Sequence, residues 1–202
     1  MLWGLFMPIE VLIIAIIAYF LGAIPFGWLI GKIKNVDVFS EGDGLPGAAN
    51  ILRIIGPTEA FLVYGLDTAK GLLAIYLATT QGITDIHLLI IASIAILGHW
   101  NSIFTKFRGG DGVTVLIGIT VGLLPTLGLI CVSIGITVAA IARKTGHHAS
   151  LWGGIACYGF LLFGSYLLNT NTTMVYGILS LATFVLFHSI YGHIKRRSKM
   201  VY

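Results

Sequence analysis

Two glycine-rich segments hold the residues of this chain whose types and spacing are suited to chemistry. The first reads GDGLPGAAN at 42–50 and the second reads RGGDGVT at 108–114, and each leads into an apolar stretch. Glycine exposes backbone N–H groups, and the N-terminus of a following helix attracts negative charge, so both segments have the form of a phosphate-binding loop. Each loop also carries an aspartate, Asp43 or Asp111, where a bound anion would have to lie. The sequence thus combines the shape of an anion site with a charge that opposes anions.

The elements that must position these loops are transmembrane helices. Of the 202 residues, 57% are hydrophobic and 10% are charged, whereas soluble domains average about 25% charged residues. No charged residue lies between Glu10 and Lys32, and that run of about 21 residues is long enough to span a bilayer. The chain is therefore an integral membrane protein. Its net charge of +4 bears on the placement of its loops and not on nucleic acid as a partner.

The positions of the basic residues predict the topology. Lys and Arg are concentrated in the cytoplasmic loops of membrane proteins. Here all but one of them fall in segments 32–56, 105–111 and 143–149 and near the C-terminus, and the connections at 80–85 and 168–173 contain none. We therefore expect the N-terminus outside, the C-terminus inside, and both glycine-rich loops at the cytoplasmic surface of the membrane.

The apolar stretches that provide the helices run at about 9–31, 60–79, 86–104, 113–142, 150–168 and 173–193. The fourth stretch is too long for one crossing, since a helix of about 30 residues measures about 45 Å. It would also place Arg108 and Arg143 on opposite sides of the membrane. A break at Pro125, which would cost roughly 3 kcal/mol in a helix interior, divides it into two short crossings or a re-entrant pair. We expect an all-α polytopic protein of about seven transmembrane helices, with residues 1–202 as a single domain.

Two ionisable residues fall within an apolar stretch. Asp67 and Lys70 are three residues apart, so they lie on one face of a helix. Intramembrane ionisable residues are often functional, but a salt bridge that fixes helix packing explains the pair as well, and we assign it a structural role. We expect Cys131 and Cys157 to be buried thiols, and His188 to be buried without a visible partner. No Cys and His spacing typical of a metal site is present.

Four segments resemble, in order, the motifs of the bacterial acyl-phosphate:glycerol-3-phosphate acyltransferases of the PlsY type. They are LGAIPFGWLIGKIKNVDV at 21–38, GDGLPGAANILRIIG at 42–56, GLDTAKGLLA at 65–74 and LGHWNSIFTKFRGGDGVTVLIG at 97–118. The resemblance implies seven transmembrane helices and a cytoplasmic active site, the topology that the basic residues also predict. It also implies transfer of an acyl group from acyl phosphate to glycerol 3-phosphate, which makes lysophosphatidate in phospholipid biosynthesis.

The positions that match the family motifs imply the site residues. If the chain is active, the implied catalytic residues are Arg53, His99, Asn50 and Asp43. The residues implied to bind the substrate and its phosphate are Gly42, Gly44, Gly47, Arg108, Gly109, Gly110 and Gly112. We expect no metal and no cofactor, because no set of ligands with recognisable metal spacing is visible in the sequence.

Several positions depart from those motifs. The residues that stand where the first motif has Arg, Ser, Asn and Thr are Phe39, Asp43, Leu45 and Ala49. Asp111 stands where the second motif has Lys, and the third motif aligns Ile190 and His193 with its histidine and asparagine, with no glutamate after them. The replacement of arginine by Phe39 removes a side chain that could bind phosphate through two parallel hydrogen bonds. The change to Asp111 reverses a charge, and one unit-charge pair at 4 Å is worth about 4 kcal/mol at an effective dielectric constant of 20.

These departures favour an interpretation in which the chain has lost standard acyl transfer. It would then act as a lipid-binding or accessory subunit of a membrane assembly, with the aspartates neutralised by Arg53, Lys106 or Arg108. The alternative is an active acyltransferase that makes lysophosphatidate, and a cation held by the aspartates is a less economical way to restore activity. A small transporter or channel that uses Asp67 and Lys70 ranks third, because no internal repeat of the transporter type is present.

Both main interpretations place the chain in the bacterial cytoplasmic membrane as a multi-pass protein. The partners they imply are membrane lipids and, for the accessory role, other membrane-protein subunits. An active enzyme would take acyl phosphate and glycerol 3-phosphate.

Overall fold

The computed structural model describes residues 8–145, 149–168, 170 and 172–199, with the side chains of the last segment described up to Gly192. All regular secondary structure in these residues is helical, which confirms the all-α fold class. The helices are α1 (Ile9–Ala23), α2 (Phe26–Ile33), α3 (Ala48–Ile54), α4 (Pro57–Thr80), α5 (Asp85–Trp100), α6 (Val113–Leu123), α7 (Pro125–Lys144), α8 (Ala149–Leu167) and α9 (Thr172–Lys199). A short 3-10 helix, Ile103–Thr105, follows α5.

Six helical segments of the described chain are long and apolar enough to cross a membrane, which confirms the polytopic architecture. They are Ile9–Ile33, Pro57–Thr80, Asp85–Thr105, Pro125–Lys144, Ala149–Leu167 and Thr172–Gly192. Helix α6 is apolar but has 11 residues, so it measures about 16 Å against a hydrocarbon core of about 30 Å. It ends before Pro125, where the sequence predicted the break. The count of seven crossings and the orientation stay predictions.

A second proline separates α1 from α2 inside one apolar segment. Pro25 has no N–H to donate and disfavours a helical conformation in the residue before it, so the helix is interrupted there. Two side chains bind the carbonyl groups at the break. Ser102 Oγ donates to the Ala23 carbonyl at 2.5 Å, and Lys70 Nζ donates to the Ile24 carbonyl at 2.8 Å. The break is therefore fixed by residues of two other helical segments, which satisfies backbone groups that lipid could not.

Three helix pairs are packed through glycines. At each of these glycines an added Cβ atom would collide with the partner helix, so the two backbones approach more closely than larger residues permit. The contacts are Gly22 of α1 with Ala95 of α5, Gly118 of α6 with Thr68 of α4, and Gly135 of α7 with Gly153 of α8. The helices that flank the second glycine-rich loop, α5 and α6, each belong to one of these pairs.

The buried apolar residues form three clusters. The largest lies among α1, α4, α5 and α6 and includes Ile75, Ile91 and Ile119. A second lies among α6, α7, α8 and α9 and contains both free cysteines, which are buried as predicted; it shares the neighbouring residue Tyr158 with the first. The third fastens the first glycine-rich loop to α4 through Val38, Ile51 and Val63.

Candidate functional site

The first glycine-rich loop is folded around one buried asparagine. Asn50, near the start of α3, is 1% exposed. Its Oδ1 accepts from the Asp43 N–H at 2.9 Å, and its Nδ2 donates to the carbonyl groups of Val38, Glu41 and Leu45 at 3.2, 3.0 and 3.0 Å. These bonds use the donors and acceptor of the amide. The Asn50 side chain therefore faces into the loop and holds it in shape.

The same loop neutralises its own aspartate. Asp43 Oδ2 lies 2.8 Å from Arg53 Nη1, and the two side chains are 22% and 61% exposed. Asp43 Oδ1 accepts from the Leu45 N–H at 3.1 Å. The structure thus pairs Asp43 with Arg53, one of the three cations that the sequence offered.

The second glycine-rich loop turns sharply and returns to the end of α5. Lys106 and Phe107 both have left-handed backbone conformations, with φ of 54° and 61°, which are uncommon outside glycine. Gly110 N then donates to the His99 carbonyl at 3.2 Å. A Cβ atom at Gly109 would collide with the His99 and Trp100 carbonyl groups, and one at Gly110 would meet the His99 ring. Glycine at these two positions allows the loop to lie against α5.

Asp111 lies at the N-terminus of α6. Its Oδ1 accepts from the Val113 N–H at 3.2 Å, and its backbone carbonyl accepts from Trp100 Nε1 at 2.9 Å. Gly112 between them is left-handed, with φ of 90°. A carboxylate at a helix N-terminus is stabilised by the helix dipole. The chain therefore supplies an acidic group at a position suited to phosphate.

The two loops meet through an arginine and an aromatic ring. The Arg108 guanidinium lies over the Phe39 ring, 4.0 Å from its centroid, and Nη2 donates to the Phe39 carbonyl at 3.4 Å. Such stacking of a cation on an aromatic face is attractive. Phe39, which stands where the family motifs have arginine, thus holds an arginine from the other loop. Arg53 thus contacts Asp43 of the first loop, and Arg108 contacts Phe39, three residues before that loop.

A small cavity lies beneath the two loops. Its volume is about 10 Å³, and its walls include Pro46 of the first loop, Gly109 and Gly110 of the second, and side chains of Asp67 and His99. The buried ion pair expected in α4 is at this wall, with Lys70 Nζ 2.8 Å from Asp67 Oδ1. The structure brings Asp67, Lys70 and His99 close to both loops, although the sequence separates them by up to 32 positions.

His188 was missed by sequence reasoning as a neighbour of the site. The expectation that it is buried without a partner is wrong, because its side chain is exposed and stacks on Trp100. The ring centroids are 4.2 Å apart and the ring planes are inclined by 14°. No sequence pattern links residues 88 positions apart, since their contact depends on how α9 packs. His193, which aligned with the asparagine of the third motif, lies beyond the side chains that the structure describes.

Comparisons with known proteins agree on one family. The family described as glycerol-3-phosphate acyltransferase matches residues 12–200. A glycerol-3-phosphate acyltransferase of Thermoanaerobacter sp. (strain X514) is 34% identical over 178 residues, which are 84% of this chain and 85% of the relative. Another, of Thermus thermophilus, is 37% identical over 143 residues, which are 71% of each protein.

Two crystal structures of PlsY (YgiH), an integral membrane glycerol 3-phosphate acyltransferase, have a similar fold. The lysophosphatidic acid form has a TM-score of 0.75 and 27% identity, and covers 95% of this chain and 91% of that protein. The glycerol 3-phosphate form has a TM-score of 0.75 and 26% identity, with coverages of 95% and 92%. The extent of these matches and the two joined motif loops show that this chain belongs to the glycerol-3-phosphate acyltransferase family of integral membrane proteins, the PlsY type.

Proposed function

We propose that the chain is an active acyltransferase that moves an acyl group from acyl phosphate to glycerol 3-phosphate and so makes lysophosphatidate. The observation that carries this proposal is the contact of Arg108 with Phe39, which joins the second loop to the segment just before the first loop. Relatives at 34% and 37% identity bear the name of this activity. The site would face the cytoplasm of a bacterial cell, where the soluble acceptor and a membrane-bound acyl donor can meet.

The pairing of Asp43 with Arg53 weakens the sequence argument for lost activity. Both side chains are partly exposed, and exposed ion pairs contribute only about 0–1 kcal/mol. A phosphate carries more charge than a carboxylate and binds arginine through two parallel hydrogen bonds. Substrate phosphate can therefore displace Asp43 from Arg53 at little cost in free energy.

The chemistry that we assign to the site is charge stabilisation. The acceptor hydroxyl oxygen bonds to the acyl carbon, the bond from that carbon to the phosphate oxygen breaks, and the hydroxyl proton goes to the departing phosphate, which leaves as hydrogen phosphate. Negative charge grows on the carbonyl oxygen and the departing phosphate, where fixed cations lower the barrier. The N–H groups of Gly44 and Gly110 are engaged within the chain. We therefore assign phosphate binding chiefly to Arg53 and Arg108, with Asn50 and the glycines shaping the loops.

Loss of acyl transfer, with an accessory role in a membrane assembly, ranks second. Its support is the position of Asp111, which places an acid at the N-terminus of α6. The pairing of Asp43 and the enzyme names of the relatives count against it.

The test is a transfer assay on purified protein with palmitoyl phosphate and radiolabelled glycerol 3-phosphate. We expect turnover in the wild type, and a loss of about 10- to 100-fold in kcat/KM for Arg53→Ala, the effect of removing one charged hydrogen bond. Arg143→Ala is the matched control, since Arg143 is an exposed arginine at the end of α7 and should keep wild-type kinetics. Folded wild-type protein without turnover would move the assignment to the accessory role.

A further inference from the structure

The buried carboxylate of Asp67 is short of hydrogen-bond donors. Its side chain is 1% exposed, and its ion-pair partner, Lys70 Nζ, lies 2.8 Å from Oδ1. Neither carboxylate oxygen has a partner with hydrogen-bond geometry among the described residues. A carboxylate can accept about four hydrogen bonds, and a buried acceptor left without them is destabilising. Asp67 therefore has the capacity to accept a hydrogen bond from a bound group.

Asp67 belongs to the wall of the cavity beneath the loops, so such a group has a place to bind. The volume of about 10 Å³ is close to the space that one water-sized oxygen needs. The wall combines polar side chains, the glycines of the second loop, the first loop and the α1–α2 break, and includes Asp67, His99, Ser102, Gly110, Pro46 and Ile24. The cavity is thus adjacent to both loops to which we assign substrate binding.

We propose that this cavity receives one hydroxyl group of the acceptor alcohol, which donates a hydrogen bond to Asp67. The inference rests on the proposed acyl transfer and adds to it a subsite for the acceptor. With the acceptor phosphate held by the arginines above, a hydroxyl on its carbon chain can point down between the loops. Asp67 would then be a binding residue that fixes the orientation of the acceptor.

The chemistry of the cavity selects a neutral hydrogen-bond donor. The Asp67 carboxylate repels a phosphate oxygen at this depth. The Lys70 ammonium already supplies the cation, and it is held by the Ile24 carbonyl at 2.8 Å as well as by Asp67. A hydroxyl group meets both conditions, since it carries no charge and has the size of a water molecule. A resident water has the same chemistry, so the test must separate these two sources.

The test is a binding cycle without acyl donor, measured by calorimetry. The ligands are glycerol 3-phosphate and its two deoxy analogues, 3-hydroxypropyl phosphate and 2-hydroxypropyl phosphate. In the wild type, we expect one analogue to bind at least about 10-fold more weakly than glycerol 3-phosphate, because a hydrogen bond to a charged group is lost. In Asp67→Asn, whose amide is uncharged, the affinity of the same analogue should be lower than that of glycerol 3-phosphate by only about threefold or less. Gly65→Ala is the control on the same helix, since a Cβ atom there meets nothing within 4 Å.

A second variant keeps the proposal testable if Asp67→Asn does not fold. Gly110→Ala directs a methyl group at the His99 ring and so reduces the cavity. This variant should bind glycerol 3-phosphate more weakly than the wild type does. Its affinity for the analogue that lacks the hydroxyl group bound by Asp67 should be nearly unchanged. Equal losses for both hydroxyl groups in all variants would mean that the cavity holds only water, and would overturn the subsite. Because acyl transfer is assayed separately, that result is distinguishable from an enzyme without activity.

Discussion

At the scale of single residues, the two loop aspartates have different environments. Asp43 shares its charge with Arg53 at 2.8 Å on the surface of the first loop. Asp111 accepts from the Val113 N–H, so its charge lies beside the start of α6. A substrate phosphate bound at the second loop would lie close to the Asp111 carboxylate. This difference makes Asp111 the residue at which the charge argument from the sequence is best tested.

We predict that Asp111→Asn improves the binding of glycerol 3-phosphate. The amide oxygen can still accept from Val113, so the helix start is preserved while one negative charge is removed. The expected gain is about 1 kcal/mol, or about fivefold in KM, and it should shrink at high salt because screening weakens exposed charges. Asp85→Asn, at the opposite end of α5, removes the same charge as a control and should leave KM unchanged. An unaltered or higher KM for Asp111→Asn would show that the aspartate does not oppose the substrate.

A second residue-scale prediction concerns Asn50. Asn50→Ala removes the partners of the Asp43 N–H and of three carbonyl groups, and unsatisfied buried polar groups cost about 1–3 kcal/mol. Thermal unfolding in detergent should show a destabilisation of that size, together with loss of activity because the first loop loses its shape. Asn101→Ala is the matched control, since Asn101 is exposed and its side chain makes one 3.5 Å contact. A variant as stable as the control would remove Asn50 from its assigned role.

At the scale of helices, close backbone contact positions the site. The α1–α5 pair sets the relation of the α1–α2 break to the second loop, and the α4–α6 pair brings Asp67 and Lys70 close to the start of α6. Both pairs depend on glycines whose Cβ positions are filled by the partner helix. Small residues at such contacts therefore help to position the loops.

Two glycine substitutions, one on α6 and one on α4, should have opposite effects on the free energy of unfolding. Gly118→Ala places a methyl group against the Thr68 carbonyl. Because overpacking of this kind is destabilising, we expect the free energy of unfolding to fall by about 1–3 kcal/mol. Gly65→Ala meets nothing within 4 Å and should stabilise α4 by up to about 1 kcal/mol through helix propensity. The measurement is the unfolding temperature of both variants and the wild type under the same conditions. Equal shifts for the two variants would contradict the contact between α4 and α6.

At the scale of the whole molecule, the two larger cores are continuous through Tyr158, which packs against both. This continuity of the described cores supports the prediction of a single domain over residues 1–202, which stays a prediction. The two motif loops meet at one end of this helical bundle, and the connection at 81–84 lies at the other end of α4. The predicted orientation places the loops in the cytoplasm and that connection outside.

This orientation predicts which introduced thiols a membrane-impermeant reagent can reach. Gln81→Cys should be labelled in intact cells, and Lys106→Cys should be labelled only after the cells are opened; both positions are exposed in the structure. Cys131 and Cys157 are buried and should stay unlabelled, so the unmodified protein is an internal control. Labelling of Lys106→Cys in intact cells would reverse the assigned topology.

Composition and local pattern by themselves determined the class of this protein. Long apolar stretches require helices in a membrane, a proline in a helix interior interrupts the helix, and motif order identified the family. The spacing of Asp67 and Lys70 likewise placed them on one helix face. These features depend on neighbours in the chain, so they can be predicted without a tertiary structure.

Only the tertiary structure decided how the charges are used. Which cation pairs with Asp43, the stacking of Arg108 on Phe39, and the contact of His188 with Trp100 join residues 10, 69 and 88 positions apart. Such contacts follow from the way helices pack, and glycines at helix interfaces determine that packing through backbone distances. The residue types alone favoured the interpretation that the two aspartates have abolished acyl transfer. The fold pairs Asp43 with Arg53 and brings Arg108 to Phe39 just before the first loop, and the balance of charge is a property of that arrangement.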